Sequence, residues 1–526
     1  MNRRHFIRSA SAVTVGGMAV RGLSSPLLTP LMGSTEEDRV LVIIQLVGGN
    51  DGLNTVIPIS AYGQLSSLRP EVLIQQSSVL PLSGLTGTGF HPSMGGMQQL
   101  WNDDKLAIVQ GVGYPSPNFS HFRSADIYET GSDSDQILSS GWAGRYLNLE
   151  YPNYPVGFPN GDVPDPLAIR VDGSVGIGLQ NMGVSMGVAI NNTNDPLNLT
   201  GNIYIDPVTA DCKGDKLALV RTVQRQTDQY GDVIEAAAGS SCTHSNLYPT
   251  TGTAAVRLAN ALKIVSQLIC GGLKTKIYWV SIGGFDHHAN QVQGSNHNAG
   301  NHATLLQALS DNIRAFQHDM ELMGLEDRVL GMTYSEFGRR IKSNASLGTD
   351  HGSSQPMFLF GTNVLPGMLG TNPVIPANTT TATNLAMQYD FRSVYASILK
   401  DWFCLSQGDI DTVLLQTYQP LNLLNPANCI STSIHEANQQ AGDELLSAYP
   451  NPFTERTTLQ YTTLGGPTMI QVFDGTGHLL QTVLNREMAA GTYKVDVDLG
   501  EHAHGVYYAR LQNGSNQQVR NLLKVR

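Results

Sequence analysis

Residues 40–49 read VLVIIQLVGG, an uninterrupted β-type run closed by two glycines. A half-buried strand alternates apolar and polar positions. A continuous run instead fits a strand covered on both faces, as in the middle of a parallel sheet. LAIVQGVG at 106–113 repeats the pattern. TAAVRLANALKIVSQLI has apolar residues at helical spacing and leads into the strand KIYWVSIGG. ATLLQALSDNIRAFQHDMELMG then sets Leu306, Leu309, Ile313 and Phe316 on one face, stops at Gly324 and runs into RVLGMTY. This strand–helix–strand order predicts an α/β fold with a doubly wound, mostly parallel sheet. Ligands of such sheets bind beyond the carboxyl ends of the strands.

At 526 residues the chain exceeds one compact domain. Near residue 440 the texture changes to short alternating runs, among them RTTLQYTT, MIQVFD, GTYKVDVDL and GVYYARLQ. Turn signals such as Asp474-Gly475 and Asn513-Gly514 separate them. That pattern predicts a small all-β, immunoglobulin-like sandwich. The opening MNRRHFIRSASAVTVGGMAVRG pairs Arg3-Arg4 with a short, mildly apolar run, which reads as a twin-arginine export signal. No other stretch is long and apolar enough to span a bilayer. The expected organisation is a signal and linker over 1–37, an α/β domain over 38–435, a linker over 436–445 and the sandwich over 446–526. A net charge of -11 argues against a nucleic-acid partner, which needs a basic face. Loop lengths allow Cys212–Cys242 and Cys404–Cys429 disulfides, leaving Cys270 as a buried thiol. The Gly-rich stretch 155–205 is expected to form a cap or long insertion over the site. Residues 372–384 read as a loop without chemistry.

Polar residues recur after the predicted strands. Asn50, Asp51 and Asn54 follow the first. Asp286, His287 and His288 follow KIYWVSIGG, and Ser335 and Glu336 follow RVLGMTY, with Asp350 and His351 a little later. Carboxylates and imidazoles at one sheet edge suit zinc, manganese or a similar borderline ion better than calcium alone. Each residue has an ordinary reading as well. An acid after a strand often caps the next helix, and His287 and His297 read as exposed loop histidines. PNFSHFRSADIYETG offers Ser120 at a helix start as a nucleophile, with His121 and Arg123 to bind an anion. The alternatives there are a plain N-cap at Ser120 and ion pairs of His121 and Arg123 with Asp126 or Glu129.

The segments IIQLVGGNDGLNTVIP, LAIVQGVGYPSPNFSHFRSADIYETG, GGFDHHANQ, MTYSEFGRRIKSNASLGTDHGSSQPMFLFG and DFRSVYASIL resemble the twin-arginine-exported family called domain of unknown function 1501. That family is related to the alkaline phosphatase and sulfatase superfamily. The resemblance implies an alkaline-phosphatase-like sheet and one or two divalent ions, zinc first, with manganese or calcium as alternatives. Asp51 matches the superfamily's first metal-binding acid, Asp286 with His288 the later pair, and His351, beside Asp350, the final histidine. SEFG resembles the superfamily's SDHG, which puts Glu336 at the acid and Phe337 where a histidine ligand would stand. The implied function is hydrolysis of phosphate or sulfate esters on a small molecule or glycan. The competing reading is a non-catalytic surface protein that keeps the fold and binds a ligand or glycan. A third route is hydrolysis by water, without a covalent intermediate. YPNPF, VFDGTGHLLQT, GVYYARL and the ending KVR resemble the type IX secretion sorting domain of Bacteroidota. Together the two resemblances imply the twin-arginine translocase and the type IX machinery as partners. They also imply passage through the periplasm to release or surface attachment.

Overall fold

The computed structural model describes residues 38–152, 154–155, 157–191, 217, 230–426, 429, 447–451, 453–463, 465–474, 478–513 and 516–525. The stretch read as a twin-arginine signal, Cys212 and the expected linker 436–445 lie outside them. The chain divides into two compact units, Met1–Cys429 and Ile430–Arg526.

The main elements of the first unit begin with β1 (Val40–Val47), β2 (Leu106–Gly113), α1 (His121–Thr130), β3 (Ala168–Val171), β4 (Val188–Ile190) and α2 (Thr253–Cys270). They continue with β5 (Ile277–Gly283), α3 (Asn301–Leu322), β6 (Val329–Ser335), β7 (Arg339–Ser343), β8 (Thr349–His351), β9 (Gln355–Phe360), β10 (Gly367–Leu369), β11 (Tyr389–Asp390) and α4 (Phe391–Asp401). The central sheet has the order β10-β2-β9-β6-β1-β5-β3-β4, and β11 also pairs with β2. Pairing is parallel from β6 through β1, β5, β3 and β4. β9 alone runs antiparallel, wedged between β6 and β2.

β1 is central because its sequence cannot tolerate an exposed face. Leu41, Val42, Ile43 and Ile44 are all 0% exposed, and successive side chains point to opposite faces, so both faces are covered. Burying each such side chain contributes about 1.5–3 kcal/mol. The register sets Leu46 beside Ser335 and Val47 beside Gly283, so β1, β5 and β6 end flush at one edge. The predicted mostly parallel α/β sheet is the one adopted.

α2 is the one described helix long and apolar enough to cross a membrane. Its Leu258, Leu262, Val265 and Leu268 belong to the core, as in a helix packed inside the unit, and Cys270 at its last turn is bonded to Cys242. Cys270 is therefore not the buried thiol expected at the end of the apolar helical pattern, and Cys242 pairs with it instead. Cys404 pairs with Cys429 as expected. The described part of the Gly-rich stretch supplies β3 and β4, which extend the main sheet.

The second unit holds β12 (Ser447–Tyr449), β13 (Arg456–Thr463), β14 (Gly466–Phe473), β15 (Leu479–Met488), β16 (Gly491–Asp498), β17 (Gly505–Asn513) and β18 (Asn516–Lys524). They form antiparallel sheets of order β12-β13-β16 and β15-β14-β17-β18. Leu459 and Val497 of one sheet share a core with Ile470, Val472 and Ala509 of the other, the packing of a β-sandwich.

Candidate metal and ester site

Five pieces of chain at one sheet edge build one cluster. β1 closes on Gly48 and Gly49, at φ +124° and +81°. A side chain at Gly48 would strike the Phe285 and Asp286 backbone, and one at Gly49 the Phe337 ring. Their lack of Cβ lets β1 approach the loop after β5, which carries Asp286, His287 and His288. β6 delivers Glu336 and Phe337. The β7–β8 pair sets His351 opposite Arg339, and the segment between β2 and α1 brings Phe119 and Ser120, with His121 as the first residue of α1.

Asp286 is the hub. Its Oδ1 accepts from Arg339 Nη2 at 2.7 Å and lies 3.2 Å from His288 Nε2 and 3.3 Å from His351 Nε2. Its Oδ2 lies 3.4 Å from His121 Nε2. Among the described residues, ligand atoms of His121, Asp286 and His351 all fall within 4.8 Å of one another. Partial burial works to raise the Asp286 pKa, but the Arg339 guanidinium and the neighbouring histidines outweigh it and hold the carboxyl at about 2. Arg339 is itself fully committed. It is 2% exposed and donates to the carbonyls of Gly48, Gly49, Phe285 and Thr349.

The opposite nitrogen of each ring is also engaged. His121 Nδ1 lies 2.9 Å from Glu336 Oε1, His351 Nδ1 lies 2.8 Å from the Phe119 carbonyl, and His288 Nδ1 lies 3.4 Å from Asp350 Oδ1. A carbonyl only accepts, so His351 Nδ1 carries a proton and its Nε2 keeps a lone pair while the ring is neutral. Burial, the largest influence, lowers the His351 pKa despite the Phe119 bond. Holding the outer nitrogen to fix the tautomer is the arrangement common to metal-binding histidines. Phe337 fills the back of the cluster, with ring centres 4.9 Å from His121 and 4.5 Å from His351.

The other sequence candidates take different places. Glu336 stands behind His121, is 1% exposed and also accepts from Gly48 N at 2.7 Å. Asp350 braces His288 and accepts from Asn344 Nδ2 at 3.1 Å. Asp51 is 2% exposed, paired with the buried Arg69, and accepts from Gln291 Nε2 at 2.6 Å. Ser120 occupies the α1 N-cap, but its exposed hydroxyl makes no capping bond. Arg123 donates to the Asp133, Ser134 and Gln136 carbonyls and to Ser132 Oγ, all in the loop after α1. His287 is not an exposed loop residue. It is 5% exposed and packs edge-on to His302, and burial, helped by Arg339, lowers its pKa to about 4. His297 is half-buried, with Nδ1 2.8 Å from the Leu73 carbonyl.

Sequence reasoning missed Arg339, Arg340, Arg69 and Phe119. The two arginines directly after SEFG were the available signal for the first pair. A cleft of about 380 Å³ opens on the cluster, lined by Phe119, His288, Arg340, Asp350, His351 and the Thr381–Ala382 turn. The segment 372–384 thus supplies a wall of the cleft.

Residues 255–413 match the family model described as protein of unknown function (DUF1501). Residues 447–525 match the secretion system C-terminal sorting domain. No curated protein matches the chain. Similar solved structures include an alkaline phosphatase superfamily protein from Vibrio parahaemolyticus, at 10% identity and TM-score 0.31 over 100% of this chain and 92% of that one. The PsFucS1 sulfatase from Pseudoalteromonas is 9% identical, with TM-score 0.32 over 87% of this chain and 83% of that one. A phosphonate monoester hydrolase from Silicibacter pomeroyi is 6% identical, with TM-score 0.32 over 92% and 89%. Scores this low carry no argument about reaction. The α/β unit thus carries the match to the DUF1501 model and the all-β unit the match to the secretion-system sorting domain.

Proposed function

We propose that the α/β unit is a metal-dependent hydrolase of phosphate or sulfate esters, exported through the periplasm and sorted to the cell exterior by the all-β unit. One observation carries the reading. The Nε2 atoms of His121, His288 and His351 converge on the Asp286 carboxylate while each Nδ1 is held from behind. Nitrogen and carboxylate donors of this kind fit a zinc-type ion. His121, Asp286 and His351 would hold it, with His288 as a further donor. Glu336 and Asp350 support His121 and His288 rather than binding directly. Phe337 occupies the place of a second ion's ligand, which favours a single ion.

When bound, such an ion supplies Lewis acidity toward the ester oxygen and a lowered pKa for attacking water. The protein's own groups do the rest. Arg339 keeps Asp286 ionised and fixed in direction. Ser120 presents a free hydroxyl at the α1 N-terminus, where a substrate anion is favoured. In the covalent route Ser120 takes the phosphoryl or sulfuryl group as the alcohol leaves, and water then restores the serine.

The test is hydrolysis of aryl phosphates and aryl sulfates by the zinc-loaded full chain. Turnover that disappears in Asp286→Ala is the expected result. Metal uptake without turnover on any ester would replace the hydrolase by the ligand- or glycan-binding reading.

A further inference from the structure

Arg123, expected to bind an anion, does not line the cleft, and its Nη2 is tied to the carbonyls of Asp133, Ser134 and Gln136 and to Ser132 Oγ. A phosphate or sulfate ester still needs a cation to receive its oxygens. Arg340 meets the requirement from the other side of the cluster. It lines the same cleft as His288 and His351. Its Nε donates to the His351 carbonyl at 2.8 Å, its Nη1 donates to the Ala382 carbonyl, and its guanidinium carbon lies 5.1 Å from the Phe119 ring centre. Two carbonyls and an aromatic face therefore fix the plane of the guanidinium. Nη2 and the second Nη1–H are left without a partner among the described residues, and no described carboxylate forms an ion pair with Arg340. Arg392 in the same unit differs, because Asp133 and Asp390 neutralise it. The other charged group of the cleft, Asp350, is already accepting from His288 and Asn344.

We propose that Arg340 is the specificity-determining residue that binds a tetrahedral oxyanion, phosphate or sulfate, in the cleft beside the metal-type cluster. A guanidinium held in plane presents its remaining N–H groups to two oxygens of such an anion with little ordering left to be lost on binding. Arg340 also ties anion binding to the cluster, because the residue whose carbonyl it holds is His351. The Thr381–Ala382 turn takes part through the Ala382 carbonyl, which gives the segment 372–384 a function. The proposal rests on the hydrolase reading for its purpose but not for its measurement.

The experiment is calorimetric titration of inorganic phosphate, and separately of inorganic sulfate, into chelator-treated full chain. Wild type, Arg340→Gln, Arg340→Lys and Arg123→Gln are compared. Binding by wild type, weakened about tenfold or more in Arg340→Gln, is the expected result. Preference for one anion over the other then names the ester class. Unchanged affinity in Arg340→Gln, no binding by wild type, or a loss confined to Arg123→Gln would each overturn the proposal. Should Arg340→Gln lower the thermal midpoint, the lysine variant decides. Weakened binding in a folded Arg340→Lys upholds the role, because an ammonium lacks the planar fork, and affinity unchanged from wild type overturns it. Because the protein carries no metal in this titration, failure of the metal reading would leave the result intact.

Discussion

His288 and His351 face each other nitrogen to nitrogen, with Nε2 atoms 2.8 Å apart. With their Nδ1 atoms turned to Asp350 and the Phe119 carbonyl, two neutral rings protonated on Nδ1 would oppose lone pair to lone pair. Either His288 carries its proton on Nε2 and donates it to His351, or one ring takes an extra proton, or a cation is shared with Asp286. Burial lowers the His351 pKa, which disfavours the extra proton on that ring, and the convergence of both Nε2 atoms on Asp286 is the arrangement a shared cation would use. Protein purified without chelator is therefore expected to contain zinc, or a similar ion, at about one per chain by mass spectrometry. The content should fall to background in Asp286→Ala and His351→Ala. A folded wild-type chain that takes up no ion on reconstitution would sink the metal reading.

Glu336 holds His121 from behind, and partners of this kind tune ligand basicity. Glu336→Gln keeps an acceptor for Gly48 N but loses the charge. Zinc affinity is expected to drop about tenfold to a hundredfold, with the thermal midpoint little changed. Complete loss of the ion would instead make Glu336 a direct ligand, as the SDHG resemblance implied.

Ser120 separates two chemical routes. Its hydroxyl is exposed and makes no capping bond, so Ser120→Ala removes little packing and no N-cap interaction. If an ester group passes through Ser120, turnover falls to background while metal content and thermal midpoint hold. Turnover within a few-fold of wild type would assign the attack to water.

Most of the sheet was legible because burial on both faces leaves a signature in the run itself, as in VLVIIQLV. The acids and histidines were legible by position, since the carboxyl ends of parallel strands converge. Interactions between loops leave no such periodicity. Nothing in the spacing announces that Asp51 pairs with Arg69, or that the arginine after SEFG points at Asp286 while the next points into the cleft. His121 was read as an anion binder because its neighbours suggested a helix start. Its place beside Asp286 follows from how the segment after β2 folds over the edge. The Cys242–Cys270 bond was likewise hidden, because it depends on where residues 240–252 cross the end of α2.

The Asp51–Arg69 pair makes a claim about stability. Both side chains are buried, at 2% and 0% exposed, and Gln291 adds a hydrogen bond to the same carboxylate oxygen. Removing one partner leaves an uncompensated buried charge, so Arg69→Met is expected to cost about 3–5 kcal/mol in urea unfolding. Asp51→Asn should also destabilise, and its metal content tests the carboxylate's other reading. Retained zinc makes Asp51 a structural partner of Arg69, whereas lost zinc in a folded variant makes it a ligand.

His91 predicts how stability depends on pH. It is 1% exposed, packs edge-on to His302, and its Nδ1 accepts from Ser93 N at 3.0 Å. Burial lowers its pKa from 6.5 to about 4, and the nearby Asp51 charge offsets only part of that. The folded state thus keeps His91 neutral where the unfolded chain protonates it. Between pH 6.5 and about 4 the unfolded state binds more protons, so this contribution to stability is complete above the unfolded pKa. It is lost progressively as the pH falls toward 4 and changes no further below. A shift of this size corresponds to about 3 kcal/mol across the window. His91→Gln removes the titrating group, and its unfolding free energy should fall less steeply with acid than that of wild type, by up to that amount. The buried His302, whose pKa is lowered by burial first and by His91 among its neighbours, remains in both proteins, so the difference reads His91 together with its effect on His302. Denaturant titrations at matched ionic strength across the window read it directly. Parallel pH profiles for the two proteins would mean that His91 is solvated or paired in a way that leaves its proton affinity unperturbed.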